Sequence, residues 1–230
     1  MKFISEITTD YSNQGLHITF DLDWANEEIL EDTLMLLEKY NAKATLFITN
    51  KFSQLKELQK NPKYEIGIHP NFTHLLNNTK AKLNSSDMII DDLLNIAPEA
   101  RSVRSHGLVQ SSYLTKLFFL KGMTHESNIR IPISTSNVIS PFKHASGIII
   151  CPFQWGDYSN MSESIAFDQN TSRYLVVNFH PIHVYLNTES LDRYERTRPL
   201  HNNPKELLKH RFEGFGTRNK LIELLESQNK

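Results

Sequence analysis

Two aspartates, Asp21 and Asp23, close the apolar run Ile18-Thr19-Phe20-Asp21-Leu22-Asp23-Trp24. On a strand, residues two apart share a face, so both carboxylates point the same way. Like charges so placed call for a metal ion, an arginine or water beside them. Other apolar runs end in comparable groups: His69, then Arg104-Ser105-His106, then Phe153-Gln154-Trp155-Gly156-Asp157, then His180-Pro181-Ile182-His183. Two neutral imidazoles and one carboxylate can hold Zn²⁺ and leave positions open for water and substrate. A second carboxylate, off the metal, can take a proton from that water. A separate histidine can protonate a leaving group, and an arginine can keep the base ionised. The set reads as metal-assisted hydrolysis, with one aspartate on the metal and the other as base.

Something must bring these groups together, and the hydrophobic pattern supplies it. Strands are expected at Gly15–Asp21, Lys43–Thr49, Tyr64–His69, Ser102–Ser105, Gly147–Pro152 and Tyr174–Phe179. Helices are expected at Asn26–Tyr40, Phe52–Gln59, Ser86–Ile96, Ser111–Leu120 and Thr217–Glu226. Asn26 is placed to cap the first helix, with Glu27 and Glu28 in its first turn. Alternating strands and helices make an α/β chain with a mostly parallel sheet, open or closed into a barrel. Ligands then bind beyond the carboxyl ends of the strands. The strand starts carry nothing comparable.

Composition narrows the partners. In 230 residues, 39% hydrophobic and 22% charged, there is enough apolar side chain for a sizeable core. A net charge of −1, with basic residues scattered, speaks against nucleic acid. The one cysteine, Cys151, rules out an internal disulfide and sits in an apolar run, where a small buried thiol is expected. No segment offers the ~20 apolar residues of a membrane span. The opening MKFISEITTDYS lacks the apolar stretch of a signal peptide, so a cytoplasmic location is expected. The sequence is silent on oligomeric state.

In order and content, these motifs resemble the polysaccharide deacetylase family, the metal-dependent carbohydrate esterases that share the nodulation-protein-B homology domain. ITFDLDW is similar to that family's first motif, usually TFDDG, and Asn41-Ala42-Lys43-Ala44-Thr45-Leu46-Phe47 to the second-strand signature. Tyr64-Glu65-Ile66-Gly67-Ile68-His69 resembles the strand carrying the metal histidines, and Arg104 the arginine motif. Phe153–Tyr158 loosely resembles the aromatic-acid motif, and Asn178–His183 the final histidine motif. The pieces HPNF, RSH and HPIHVYLN further resemble a divergent branch near O-antigen and surface-polysaccharide biosynthesis proteins. The resemblance spans roughly residues 16 to 185 and leaves 186–230 as loop plus C-terminal helix within one domain.

The resemblance implies a distorted (β/α) barrel of about seven parallel strands, and removal of an acetyl group from an N-acetylated sugar or glycan precursor with a divalent ion, Zn²⁺ first. It implies Asp21 as catalytic base, Asp23 and His69 as metal ligands, Arg104 as the arginine tuning the base, and His180 as catalytic acid. Three features depart from the family pattern. Leu22 separates the two acids. The position four beyond His69 is Thr73, with His74 one further, so His74 and His106 are alternatives for the third ligand, His106 preferred. Ser105 and His106 replace small or proline residues.

Trp155 and Asp157 are expected near the sugar, His183 at the rim or orienting His180, and Trp24 beneath the site. The remaining histidines, His17 among them, are expected to be structural or at the surface. The stretch Leu191–Phe215, rich in Arg, His and Asn, is expected as a loop that could cover the site or hold an anion. Two other readings keep this fold: hydrolysis of another non-peptide C–N bond, or a sugar-binding relative without chemistry. A non-haem iron oxygenase would also use two histidines and an acid, but the helical periodicity opposes its usual jelly roll.

Overall fold

The computed structural model of the chain describes residues 1–10, 15–23, 26–77, 79, 81–132, 140–158, 161, 165 and 174–228. Four long strands form its centre: β1 (Leu16–Asp21), β2 (Ala44–Ile48), β3 (Tyr64–Ile68) and β9 (Leu175–Phe179). Every residue of β1, β2 and β9 is buried. They therefore read as continuous apolar runs, the mark of parallel strands covered on both faces. Five two-residue strands extend the sheet: β4 (Ser102–Val103), β5 (His125–Glu126), β6 (Phe142–Lys143), β7 (Ile149–Ile150) and β8 (Trp155–Gly156).

The order across the sheet is β6-β7-β5-β4-β3-β2-β1-β9-β8, and every pairing is parallel except β6 with β7. The fold is thus a single α/β domain around a curled, mostly parallel sheet, a half-barrel of the expected kind. Three of the strands, β5, β6 and β8, were not predicted, because two residues are too few to show a periodicity.

Among the helices, α1 (Glu27–Lys39) begins as expected, with Asn26 Oδ1 accepting from Ile29 N at 3.0 Å. The second, α2 (Leu55–Leu58), is a single turn; α4 (Ser86–Ile96) and α5 (Ser112–Leu120) match their expected spans closely. The helix α3 (Thr73–Leu76) is short and was not predicted. Beyond β9 the chain forms α6 (Pro181–Leu186), α7 (Leu191–Thr197), α8 (Pro204–Leu208) and α9 (Thr217–Ser227). The stretch expected as loop is therefore largely helical. Its arginines answer carboxylates within the chain: Arg193 with Glu189, Arg196 with Asp192, Arg198 with Glu195, and Arg211 with Asp32, which Arg218 of α9 also meets. Of the described helices, none is long and apolar enough to cross a membrane. His17 and Cys151 are both buried, as a structural histidine and a core thiol.

Register places the site. Thr19 on β1 stands beside Thr45 on β2 and Asn178 on β9, and Asp21 beside Phe47. Phe47 in turn stands beside Gly67 on β3. That glycine is required by close approach: a Cβ there would meet Phe47 Cδ1 and Ser102 Oγ, each at 2.6 Å. Gly67→Ala should therefore push the Phe47 ring and cost about 1–3 kcal/mol, as overpacking does. Thermal unfolding should show a midpoint lowered by several degrees. An unchanged midpoint would show that the ring has room to move.

Candidate metal centre and its buried arginine

The carboxyl ends of β1, β3, β4, β5, β8 and β9 open on one side of the sheet. Asp21 is the last residue of β1, whereas Asp23 lies in the turn that follows. Their convergence is a property of that turn, not of strand alternation. His180 Nε2 stands 3.8 Å from Asp21 Oδ2 and 3.6 Å from Asp23 Oδ1, so both acids do face one point.

Arg104 lies beneath that point and is fully buried. Its guanidinium sits between the rings of Phe47 and Phe153, 4.7 and 4.8 Å from their centroids. One terminal nitrogen donates to Asp21 Oδ1 (3.1 Å), Thr19 Oγ1 (2.8 Å) and Asn178 Oδ1 (2.6 Å). Nε donates to the Ser127 carbonyl and the other terminal nitrogen to Ser127 Oγ, both at 2.9 Å. Asn178 completes the cradle by donating to Asp21 Oδ2 at 2.7 Å. Asp21 is thereby fixed in place and paired with a permanent cation. Thr19, Phe47, Ser127 and Asn178 were not singled out in the sequence. Asn178 had a readable signal, a lone amide inside the apolar run YLVVNF.

Asp23, His69 and His106 each offer a ligand atom within 4.8 Å of the others. His69 Nε2 is 4.0 Å from Asp23 Oδ1, and His106 Nδ1 is 2.8 Å from Asp23 Oδ2. One backbone bond joins the histidine loops, His106 N donating to the Pro70 carbonyl at 3.0 Å, and Ser105 N donates to the side-chain Asn128 Oδ1 at 2.7 Å. Burial opposes charge on Asp23, but His106, with His180 and His69 around it, holds its carboxyl down at about 2. Burial also lowers His69, favouring neutral imidazole.

The group suits a divalent cation on one further ground. Asp23 is only 7% exposed, yet neither carboxylate oxygen finds a hydrogen-bond donor in good geometry, the 2.8 Å approach of His106 included. A buried, ionised carboxylate left so is costly unless a cation answers it. One carboxylate and two imidazoles is a zinc-type donor set.

His74 is not part of this group. Its Nε2 bonds the Leu83 carbonyl, and the turn of α3 carries it away from His69. His106, and not His74, is thus the histidine that joins Asp23 and His69 in one group.

His180 caps α6 and is gripped by Asp157, whose carboxylate accepts from His180 N at 2.7 Å and meets Nδ1 at 2.6 Å. Burial alone would lower this imidazole, but Asp157, then Asp23 and Asp21, raise it to about 9. A second group of potential ligands, Asp157, His180 and His183, contains this bonded pair. Three expectations are corrected here. Asp157 is fully buried as the partner of His180, and Trp155 is fully buried against Phe179, centroids 5.1 Å apart, so neither presents a face to a sugar. His183 is also enclosed, bonded to Thr188 Oγ1 at 3.1 Å and packed on Tyr194, and burial lowers it to about 4. Trp24, expected beneath the site, lies outside the described residues.

A model of the family described as WbmS-like polysaccharide deacetylase matches residues 18–198. The crystal structure of WbmS from Bordetella bronchiseptica, described as a polysaccharide deacetylase involved in O-antigen biosynthesis, is 36% identical. Alignment covers 98% of this chain and 97% of that one, with a TM-score of 0.89. A protein described as a polysaccharide deacetylase from Mycobacterium smegmatis aligns at 15% identity over 96% and 92% of the two chains, TM-score 0.49. The peptidoglycan deacetylase PdaC from Bacillus subtilis aligns at 16% over 96% and 95%, TM-score 0.46. No curated protein matches the chain.

Elemental analysis after reconstitution should find about one divalent ion per chain, with each of Asp23→Ala, His69→Ala and His106→Ala losing it. His74→Ala should retain it. Retention in His106→Ala with loss in His74→Ala would reverse the ligand choice.

Proposed function

Because this chain belongs to the WbmS-like polysaccharide deacetylase family, we propose that it is a divalent-metal-dependent hydrolase that removes the acetyl group from an N-acetylated sugar. The observation that carries this reading is Asp23, buried against the imidazoles of His69 and His106, directly beside an aspartate locked to a buried arginine. The part in O-antigen biosynthesis described for the Bordetella relative supports a sugar of a surface polysaccharide or its precursor as the substrate.

A divalent ion held by Asp23, His69 and His106 would supply Lewis acidity, polarising water and the acyl carbonyl. Asp21 takes the proton from the attacking water. Arg104 and Asn178 occupy both of its oxygens from below, which orients the carboxylate. His180, charged because Asp157 grips its Nδ1, holds a proton on Nε2 3.6 Å from Asp23 Oδ1 and 3.8 Å from Asp21 Oδ2. That proton goes to the leaving nitrogen as the C–N bond breaks. Acid and base are thus separate side chains, each held by its own partners.

Acetate release from N-acetylated oligosaccharides by the metal-loaded protein tests the reading. A chelator should abolish release, and Asp21→Asn should lower kcat by about 10²–10⁴-fold. Metal-independent release, or full activity in Asp21→Asn, would contradict it.

The pH profile tests His180 separately. It works in its protonated form, so kcat should fall as pH rises through its raised pKa. A bound cation lowers that pKa in wild type and variant alike, so their difference is the informative quantity. Asp157→Asn removes the main raising interaction and should move the alkaline limb to lower pH. An unmoved limb would show that some other group sets it.

A further inference from the structure

Strand register brings Ser127 and Asn128 to the site as a pair. In it, β5 stands beside β4 with His125 against Ser102 and Glu126 against Val103. Ser127 N donates to the Val103 carbonyl at 2.9 Å, so the pairing runs on past both strands. It sets Ser127 against Arg104 and Asn128 against Ser105. The two side chains serve different halves of the site. Ser127 takes the guanidinium of Arg104, which holds the base Asp21. Asn128 takes Ser105, the residue before His106.

His106 opens a turn that needs anchoring. Gly107 and Leu108, which follow it, both have positive φ, 63° and 55°. For leucine that conformation is disfavoured and persists only where the surroundings impose it. Leu108 N donates to the Ser105 carbonyl at 2.9 Å, a bond inside the turn. His106 N donates to the Pro70 carbonyl at 3.0 Å, which leads to the loop of another candidate ligand, His69. Ser105 N donates to Asn128 Oδ1 at 2.7 Å, and this bond ties the turn to the end of β5.

Asn128 is itself held in one orientation. It is 2% exposed, and its oxygen is committed to a backbone donor, so its nitrogen must find acceptors. It donates to Glu126 Oε1 at 2.9 Å and to Ser105 Oγ at 3.3 Å. Glu126 is 1% exposed, a place where a carboxyl is costly and an apolar side chain would serve packing alone. Its bond to the Asn128 amide gives that carboxyl a reason to be there.

Resting on the metal-dependent reading, we infer that Asn128 is a positioning residue for the cation. It fixes the backbone at Ser105 so that the His106 ring joins Asp23 and His69, and Glu126 holds its amide to that task. Groups one step removed from a metal set the direction of its ligands, and their loss weakens the site without removing it. Ser127, one residue earlier, acts on the base through Arg104 and leaves the cation alone.

Zinc affinity of the full chain, measured by competition with a chromogenic chelator, tests this apart from activity. Asn128→Ala should bind zinc about 10–100-fold more weakly than wild type. Glu126→Ala should show a smaller loss in the same direction. Glu126→Gln keeps an acceptor for the amide and should bind as wild type does, and so should Ser127→Ala. Excess zinc should restore acetate release in Asn128→Ala but not in Ser127→Ala, whose base has lost support. Wild-type affinity in both Asn128→Ala and Glu126→Ala overturns the inference. So does an equal loss in Glu126→Gln or Ser127→Ala, which would mark a general loosening of the fold. Should Asn128→Ala not fold, the two Glu126 variants decide. The expected order of affinities, with no acetate release from wild type, would overturn the deacetylase reading alone. A wild type that takes up no zinc overturns the metal centre and this inference together.

Discussion

A guanidinium with no access to water must have a counter-ion and an acceptor for its donors, or it destabilises the fold by several kcal/mol. Arg104 is in that position, and much of the site follows from it. Asp21 supplies the charge; Thr19, Asn178 and Ser127 supply the remaining acceptors. Phe47 and Phe153 supply two flat faces. These partners come from β1, β2 and β9 and from segments beyond β5 and β7, so the arginine fastens the carboxyl ends of the sheet to one another. Gly67 matters for the same reason: it leaves room for the ring that covers the cation.

Charge alternates upward from this base. Arg104 answers Asp21, and Asp157 answers His180, which points back at both Asp21 and Asp23. Asp23 then faces two imidazoles, one of which burial keeps neutral. A cation at that point completes the series. The opening pair of like charges thus meets an arginine below one aspartate and imidazoles around the other.

The sequence displayed the long strands plainly because burial on both faces removes polar residues from them. It hid β5, β6 and β8, whose two residues carry no period, and the helices α7 and α8, whose polar faces resemble loop. Chemistry at strand ends was legible: Asp21, His69, Arg104 and His180 all stand there. The choice between His74 and His106 rested on a loop geometry that spacing does not encode, since one turn of helix at α3 swings His74 aside. Trp155 and Asp157 were misread because residue type suggests a sugar contact while burial forbids one. Asp23 was read as a strand residue, whereas the strand ends two residues before it.

The claim on which the rest turns is that Asp23, His69 and His106 hold the catalytic cation beside Asp21. Diffraction at the zinc edge from crystals grown with Zn²⁺ addresses it directly. The account expects one strong anomalous peak about 2.0–2.2 Å from a carboxylate oxygen of Asp23 and a ring nitrogen of each histidine. A peak between Asp157, His180 and His183 instead, or none at either place, would contradict it.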